Sequence, residues 1–191
     1  MSRRQRSRTR RLRREGNTLL YFAGGFALIG TLLAVFIPAF VREVRLSKTA
    51  EAAEMLQTMH LGASAYFASR QSVEGVERRR CLPAHAGPTP ARPYVEARNV
   101  DFFDEQVHDA PTWRVLSFRS ERPIRFSYRF DPVRAGCDLR TPEHTYIVTY
   151  SAEGDLDGDG LRSRFERRDA ASSDDDTLVP IGILYERDRT E

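Results

Sequence analysis

The chain has 191 residues, 30% of them charged, two cysteines and a formal net charge of +3. That length holds one domain of ordinary size plus an additional segment, and the composition is neither collagen-like nor that of a disulfide-dense miniprotein. The basicity is local: residues 1–16 carry eight arginines and one glutamate, a net of +7, which leaves the other 175 residues at −4 (+3 minus +7). A charge confined to one terminal arm says little about the folded part. The arm has no aromatic residue to stack bases, so nucleic acid is excluded as the expected partner.

The leader ends at Gly16 and is followed by 25 consecutive uncharged residues, 17–41. At about 1.5 Å per helical residue such a run exceeds the roughly 30 Å hydrocarbon core of a bilayer. Positive charge on one flank keeps that flank in the cytoplasm and sends the other side across, so a single pass with a cytoplasmic N-terminus and an exported C-terminal domain is expected. Gly24, Gly25, Gly30 and Pro38 lower helix stability in water but are tolerated in lipid, where the backbone has no competing partner. Beyond Pro38 polarity changes: Arg42, Glu43, Arg45 and Lys48 arrive, while Ala52, Met55, Leu56, Met59, Ala63, Tyr66 and Phe67 recur at helical spacing. This predicts an amphipathic helical half over residues 42–69, its apolar stripe against a domain core.

A short basic leader ending in Gly16, an uncharged helix with Gly30, the run Ile37, Pro38, Ala39, Phe40 and an amphipathic extension together resemble the type IV pilins and the pseudopilins of type II secretion. In that family a prepilin peptidase cuts after the glycine and methylates the new amine, and a glycine and a proline follow at fixed distances; a cut between Gly16 and Asn17 puts Gly30 and Pro38 there. The resemblance implies a long N-terminal helix laid on a small antiparallel sheet, with prepilin peptidase, inner membrane lipid and other pilin or pseudopilin subunits as partners. Two positions depart from the family: Asn17 stands where phenylalanine or methionine is usual, and Tyr21 where a glutamate is. Without that carboxylate to offset the neighbouring subunit's amine in hydrocarbon, the resemblance implies a minor or tip subunit.

Residues 70–112 hold Pro83, Pro88, Pro90, Pro93 and Pro111, a basic run at 78–80 and little periodicity, and are expected to form a long surface loop whose Phe102 and Phe103, with Trp113, pack back onto the sheet. Residues 113–191 are expected to form an antiparallel sheet domain, with strands at 114–119, 124–130 and 146–151 and a late edge strand over 178–185. The second alternates best: Ile124, Phe126, Tyr128 and Phe130 on one face, Arg125, Ser127 and Arg129 on the other. The fold class is therefore α+β. Cys81 and Cys137 both fall on the exported side, where an oxidising compartment favours a disulfide between them.

The sharpest chemical signal is residues 155–166, which match the calcium-loop pattern D-x-D-x-D-G-x5-E. Three carboxylates at alternate positions, Asp155, Asp157 and Asp159, converge only where the chain turns tightly around a cation; Gly160 permits the turn. The Leu161 carbonyl, Ser163 and a two-oxygen Glu166 complete the expected Ca2+ shell of hard oxygens. A strand precedes the loop and Arg162 follows it, so a structural calcium between sheet elements is expected and a paired EF-hand is not. The run Gly154, Asp155, Leu156, Asp157, Gly158, Asp159, Gly160 with Ser163 and Phe165 also resembles a motif of pilin-like proteins from deltaproteobacteria, and the major pseudopilins as a family have a structural calcium near this end of the fold.

No catalytic constellation is present. His60, His85, His108 and His144 lack metal spacing, and no phosphate-binding loop, nucleophile elbow or zinc-protease helix occurs. Enzymatic activity is not expected. Two functional classes follow: a minor pilin or pseudopilin matured by prepilin peptidase, or an uncleaved single-pass membrane-anchored periplasmic binding module stabilised by calcium.

Overall fold

A computed structural model describes residues 3–141, 145–182 and 185–187, leaving aside the side chains of residues 3–20, 42, 44–47, 185 and 186. His144, one of the scattered histidines, lies outside the described residues. Helix α1 runs from Arg3–Ala68 with Pro38 inside it, and the chain divides into two units between Val44 and Arg45. In the first unit every described residue of the Tyr21–Val41 segment is exposed to its surroundings, and the segment is long and apolar enough to cross a membrane. The Thr31 hydroxyl is satisfied inside the helix, donating to the Ala27 carbonyl at 2.8 Å.

The second unit is α+β. The helical half predicted to end at residue 69 ends at Ala68, and its stripe is buried as the spacing requires: Ala52, Met55, Leu56, Met59, Ala63 and Phe67 are in the core, and Tyr66 is half-buried. Gly62 lies on this contact: a Cβ there would fall 1.9 Å from the Leu116 carbonyl oxygen, so only glycine lets the helix approach that backbone.

The sheet has the order β3-β4-β5-β6-β7, all antiparallel, with β8 beside β7 on the same side of β6. The strands are β3 (Ala86–Thr89), β4 (Ser127–Pro132), β5 (Val148–Gly154), β6 (Ser163–Ala171), β7 (Leu178–Pro180) and β8 (Tyr185–Arg187). Ile124, Phe126, Tyr128 and Phe130 are all buried, the face expected from their alternation, although the ladder itself starts only at Ser127 and Ile124 makes a separate bridge to Arg98. The late edge is two short strands where one was predicted, both paired with β6.

Three expectations are corrected. Residues 114–119 are not a strand: α2 (Ala110–Val115) occupies this stretch, starting from Pro111 in its first turn, and buries Trp113 with Leu116 just beyond. A three-residue spacing of large apolar groups outweighs the local β-propensity. Residues 70–112 are not one long loop, since they contain the hairpin β1 (Gln71–Val73) and β2 (Val76–Arg78) and the strand β3. The sheet domain accordingly begins before residue 113. β6, the longest strand among the described residues, has no strand signal in the sequence, because its Arg-Phe-Glu-Arg-Arg-Asp run looks like solvated surface.

Phe102, Trp113, Phe118 and Tyr128 form one aromatic cluster, with ring centroids 4.8 Å apart for Phe102 and Phe118 and 5.0 Å for Trp113 and Phe118. Each such pair adds about 0.5–1.5 kcal/mol beyond its buried area, which explains how a proline-rich segment is held down without long strands. Cys81 and Cys137 are disulfide-bonded, joining that segment to the turn between β4 and β5.

Candidate functional site

Two regions bear on function: the apolar segment of α1 and the turn between β5 and β6. The first has the simpler chemistry. Its residues are apolar all round the helix, a pattern that water does not support and that lipid or other apolar helices do. Gly16 and Asn17 fall within the range of α1, and their side chains lie outside the described residues.

The second region is the eight-residue connection 155–162, closed by the antiparallel pair Gly154 and Ser163. Short carboxylate-to-backbone hydrogen bonds shape it. The Gly158 N–H donates to Asp155 Oδ1 at 2.7 Å, the Asp159 N–H to Asp157 Oδ1 at 3.4 Å and the Leu161 N–H to Asp159 Oδ1 at 2.7 Å. These bonds require tight turning, supplied by Gly158 and Gly160 at φ +81° and +91°. The result gathers one carboxylate oxygen each from Asp155, Asp157 and Asp159 within 4.8 Å of one another. Among the described residues no other trio of acidic, histidine or cysteine side chains is gathered so closely. Asp155 is half-buried and the other two are exposed, while Leu156 points inward as the buried anchor of the loop and its carbonyl accepts from Lys48 Nζ at 3.4 Å.

The other three expected ligands are placed differently. Leu161 is exposed on the loop. Ser163 is fully buried at the first position of β6, its hydroxyl donating to the Gly154 carbonyl at 3.2 Å. Glu166 stands three residues into β6, opposite Ser151, and its carboxylate accepts from Arg164 Nε at 2.8 Å and from an Arg168 guanidinium nitrogen at 3.2 Å. Glu153, beside Arg164 in the ladder, also pairs with Arg162 and Arg164. In the expected calcium loop Glu166 swings back over the aspartates; here an extended strand carries it away and two arginines take both of its oxygens. The structure thus brings together three of the six predicted ligands.

No protein-family model, curated protein or solved structure matches this chain.

Two polar anchors went unread in the sequence. Glu51 of α1 accepts from the N–H groups of Arg125 and Phe126 at 2.8 and 3.3 Å and from the Tyr128 hydroxyl at 3.0 Å, tying the helix to the entry of β4. Farther along, His60 Nδ1 lies 2.6 Å from Asp169 Oδ2, the same oxygen that accepts from the Tyr150 hydroxyl at 2.7 Å. Asp169 has no exposed surface, and its Oδ1 lies 3.5 Å from Arg167 Nε without a hydrogen bond. A buried carboxylate needs such partners to remain in the core. The signal available in sequence was only an acidic residue at an inward register of β6, and β6 itself was not recognised.

Proposed function

We propose that this chain is a minor pilin or pseudopilin, a structural subunit of a type IV pilus or a type II secretion pseudopilus. The observation that carries this reading is helix α1, which joins an apolar segment, Tyr21–Val41, to the helical spine of an α+β unit. In this reading the basic leader holds residues 1–16 in the cytoplasm and the second unit lies in the periplasm. Prepilin peptidase then cuts between Gly16 and Asn17, and the apolar segment exchanges lipid for the helices of other subunits. The side chains of residues 17–41 are all uncharged, which suits that exchange and leaves the new Asn17 amine as the one charge to be offset. Tyr21 supplies no carboxylate for a neighbouring amine, so the subunit occupies a minor or terminal place.

The aspartate loop in this reading holds a structural Ca2+ through Asp155, Asp157 and Asp159, with backbone carbonyls and water completing the shell and Glu166 outside it. Hard carboxylate oxygens suit calcium, and the cation offsets three negative charges gathered in one turn.

Intact-mass measurement after co-expression with a prepilin peptidase tests the assignment. The expected product begins at a methylated Asn17, and Gly16→Val leaves the leader in place. A wild-type chain that keeps Met1 to Gly16 in the presence of active peptidase rejects the pilin reading. It favours instead an uncleaved membrane-anchored periplasmic module, the reading that Asn17 and Tyr21 support.

A further inference from the structure

We propose that the groove between α1 and the segment entering β4 binds the headgroup of an anionic phospholipid, its phosphodiester held by Lys48, Arg122 and Arg125. The site needs only that the apolar segment lie in lipid, and so belongs equally to a pilin and to an uncleaved anchor. The groove has a volume of about 550 Å³, within the range of small-molecule sites. Its floor is apolar, with Met55 of α1 and Ile124 both buried, and its rim is charged. An apolar floor under a charged rim suits an amphiphile better than a free ion.

Five charged side chains line the groove, three cations and two carboxylates, a net of +1 (3 minus 2). The carboxylates are already engaged. Glu51 Oε1 accepts from the Arg125 and Phe126 N–H groups and from the Tyr128 hydroxyl, and Glu54 pairs with Arg122 across an exposed contact. The cations are matched less well. Arg125 Nη1 stands 3.8 Å from Glu51 Oε2, beyond hydrogen-bond distance, and Arg125 Nε is buried without an acceptor. Lys48 Nζ donates to the Leu156 carbonyl at 3.4 Å, a neutral acceptor that cancels no charge. A guanidinium so poorly satisfied at the side of a groove favours an anionic acceptor, because hydrogen bonds between charged partners are the strong ones. One negative charge balances the groove. A phosphodiester carries one, whereas a phosphate monoester carries about −1.5 to −2 at neutral pH.

The position of the groove along the chain puts lipid within its reach. Lys48 is seven residues beyond Val41, where the apolar segment ends (48 minus 41). Seven residues span at most about 25 Å even when fully extended, so the groove is tethered near the bilayer surface. Arg42 and Arg45 precede Lys48 at three-residue steps, and basic residues flanking a membrane segment draw anionic headgroups to that surface. A bound phosphodiester then joins Lys48 on α1 to Arg125 at the entry of β4, reinforcing the contact that Glu51 already makes between these segments.

The test is native mass spectrometry of the untagged full chain, released from detergent micelles supplied with equal amounts of phosphatidylglycerol and phosphatidylcholine. One phosphatidylglycerol is expected to stay bound, and phosphatidylcholine to be lost. Arg125→Gln is expected to weaken phosphatidylglycerol binding about tenfold, and Arg122→Gln, at a side chain 74% exposed, about two- to threefold. Arg134→Gln removes the same charge from an exposed position outside the groove and is expected to change nothing. Near-ultraviolet dichroism checks that each variant keeps native packing. Phosphatidylcholine retained as well as phosphatidylglycerol by the wild type, or no lipid retained, overturns the site. Full retention by the triple variant Lys48→Gln, Arg122→Gln, Arg125→Gln overturns it too, since the lipid would then be held elsewhere. Displacement of the lipid by equimolar inorganic phosphate overturns the lipid assignment in favour of a free phosphate.

Discussion

Two tyrosines at the helix–sheet contact carry the most residue-level information, because each phenol is buried against a carboxylate. Burial first, and then the charge and hydrogen bond of Glu51, push Tyr128 well above the ordinary tyrosine value; burial and Asp169 do the same to Tyr150. A folded-state value raised above the unfolded one stabilises the fold fully below pH of about 10, and that stability is lost as pH rises through the folded value. Alkaline titration followed by phenolate absorbance should therefore find two of the seven tyrosines protonated until the chain unfolds. Titration of all seven while near-ultraviolet dichroism still reports native packing is the contrary result. Glu51 and Asp169 are legible in the sequence only as charges near apolar positions; that they face inward depends on which residues lie opposite them across the helix–sheet contact.

At the scale of elements, the turn between β5 and β6 shows how a matched motif and the strand that follows it divide the same residues. Over the first five positions of the pattern the alternating aspartates accept from backbone N–H groups of the turn, and one carboxylate oxygen from each lies within 4.8 Å of the others. The last position stands apart, because Ser163 to Glu166 are also the first residues of β6, and ladder pairing with β5 fixes their direction. Calcium binding by the aspartates predicts a thermal midpoint higher in calcium than in chelator. At a calcium concentration of 100 times the dissociation constant the gain is about 2.7 kcal/mol, or roughly 5–10 °C for a chain of this size. Asp157→Ala should abolish the difference, whereas Glu166→Gln should leave it, since that carboxylate serves Arg164 and Arg168. Equal midpoints in calcium and chelator would remove the metal.

At the scale of the molecule, the second unit is assembled from segments far apart in sequence, and the disulfide Cys81–Cys137 spans 56 of those residues. Around it Leu82 and Gly136 exchange backbone hydrogen bonds of 2.8 and 2.9 Å, and Arg80 donates to the Leu139 and Ser172 carbonyls, so the bond reinforces contacts already present. In the chain-entropy picture, closing a loop of that length stabilises by about 4 kcal/mol. The double variant Cys81→Ser, Cys137→Ser is expected to lower the unfolding midpoint of the full chain in detergent by on the order of 10 °C. An unchanged midpoint would show that the surrounding contacts hold the loop unaided.

Features that depend on neighbours along the chain were legible before any fold was known. These are the apolar segment, the amphipathic stripe from Ala52 to Phe67, the alternating face of Ile124 to Phe130, the oxidised cysteine pair and the clustering of Asp155, Asp157 and Asp159. Each follows from a repeat of two or 3.6 residues, from a turn chemistry or from a compartment. Four further features came from the packing: β3 emerges from a proline-rich stretch, residues 110–115 coil around Trp113, a strand as charged as β6 runs through the sheet, and Glu166 belongs to arginines. The physical reason is common to all four. Each depends on a partner distant in sequence, and the free energy of burying or pairing with that partner exceeds the local preference of the segment itself.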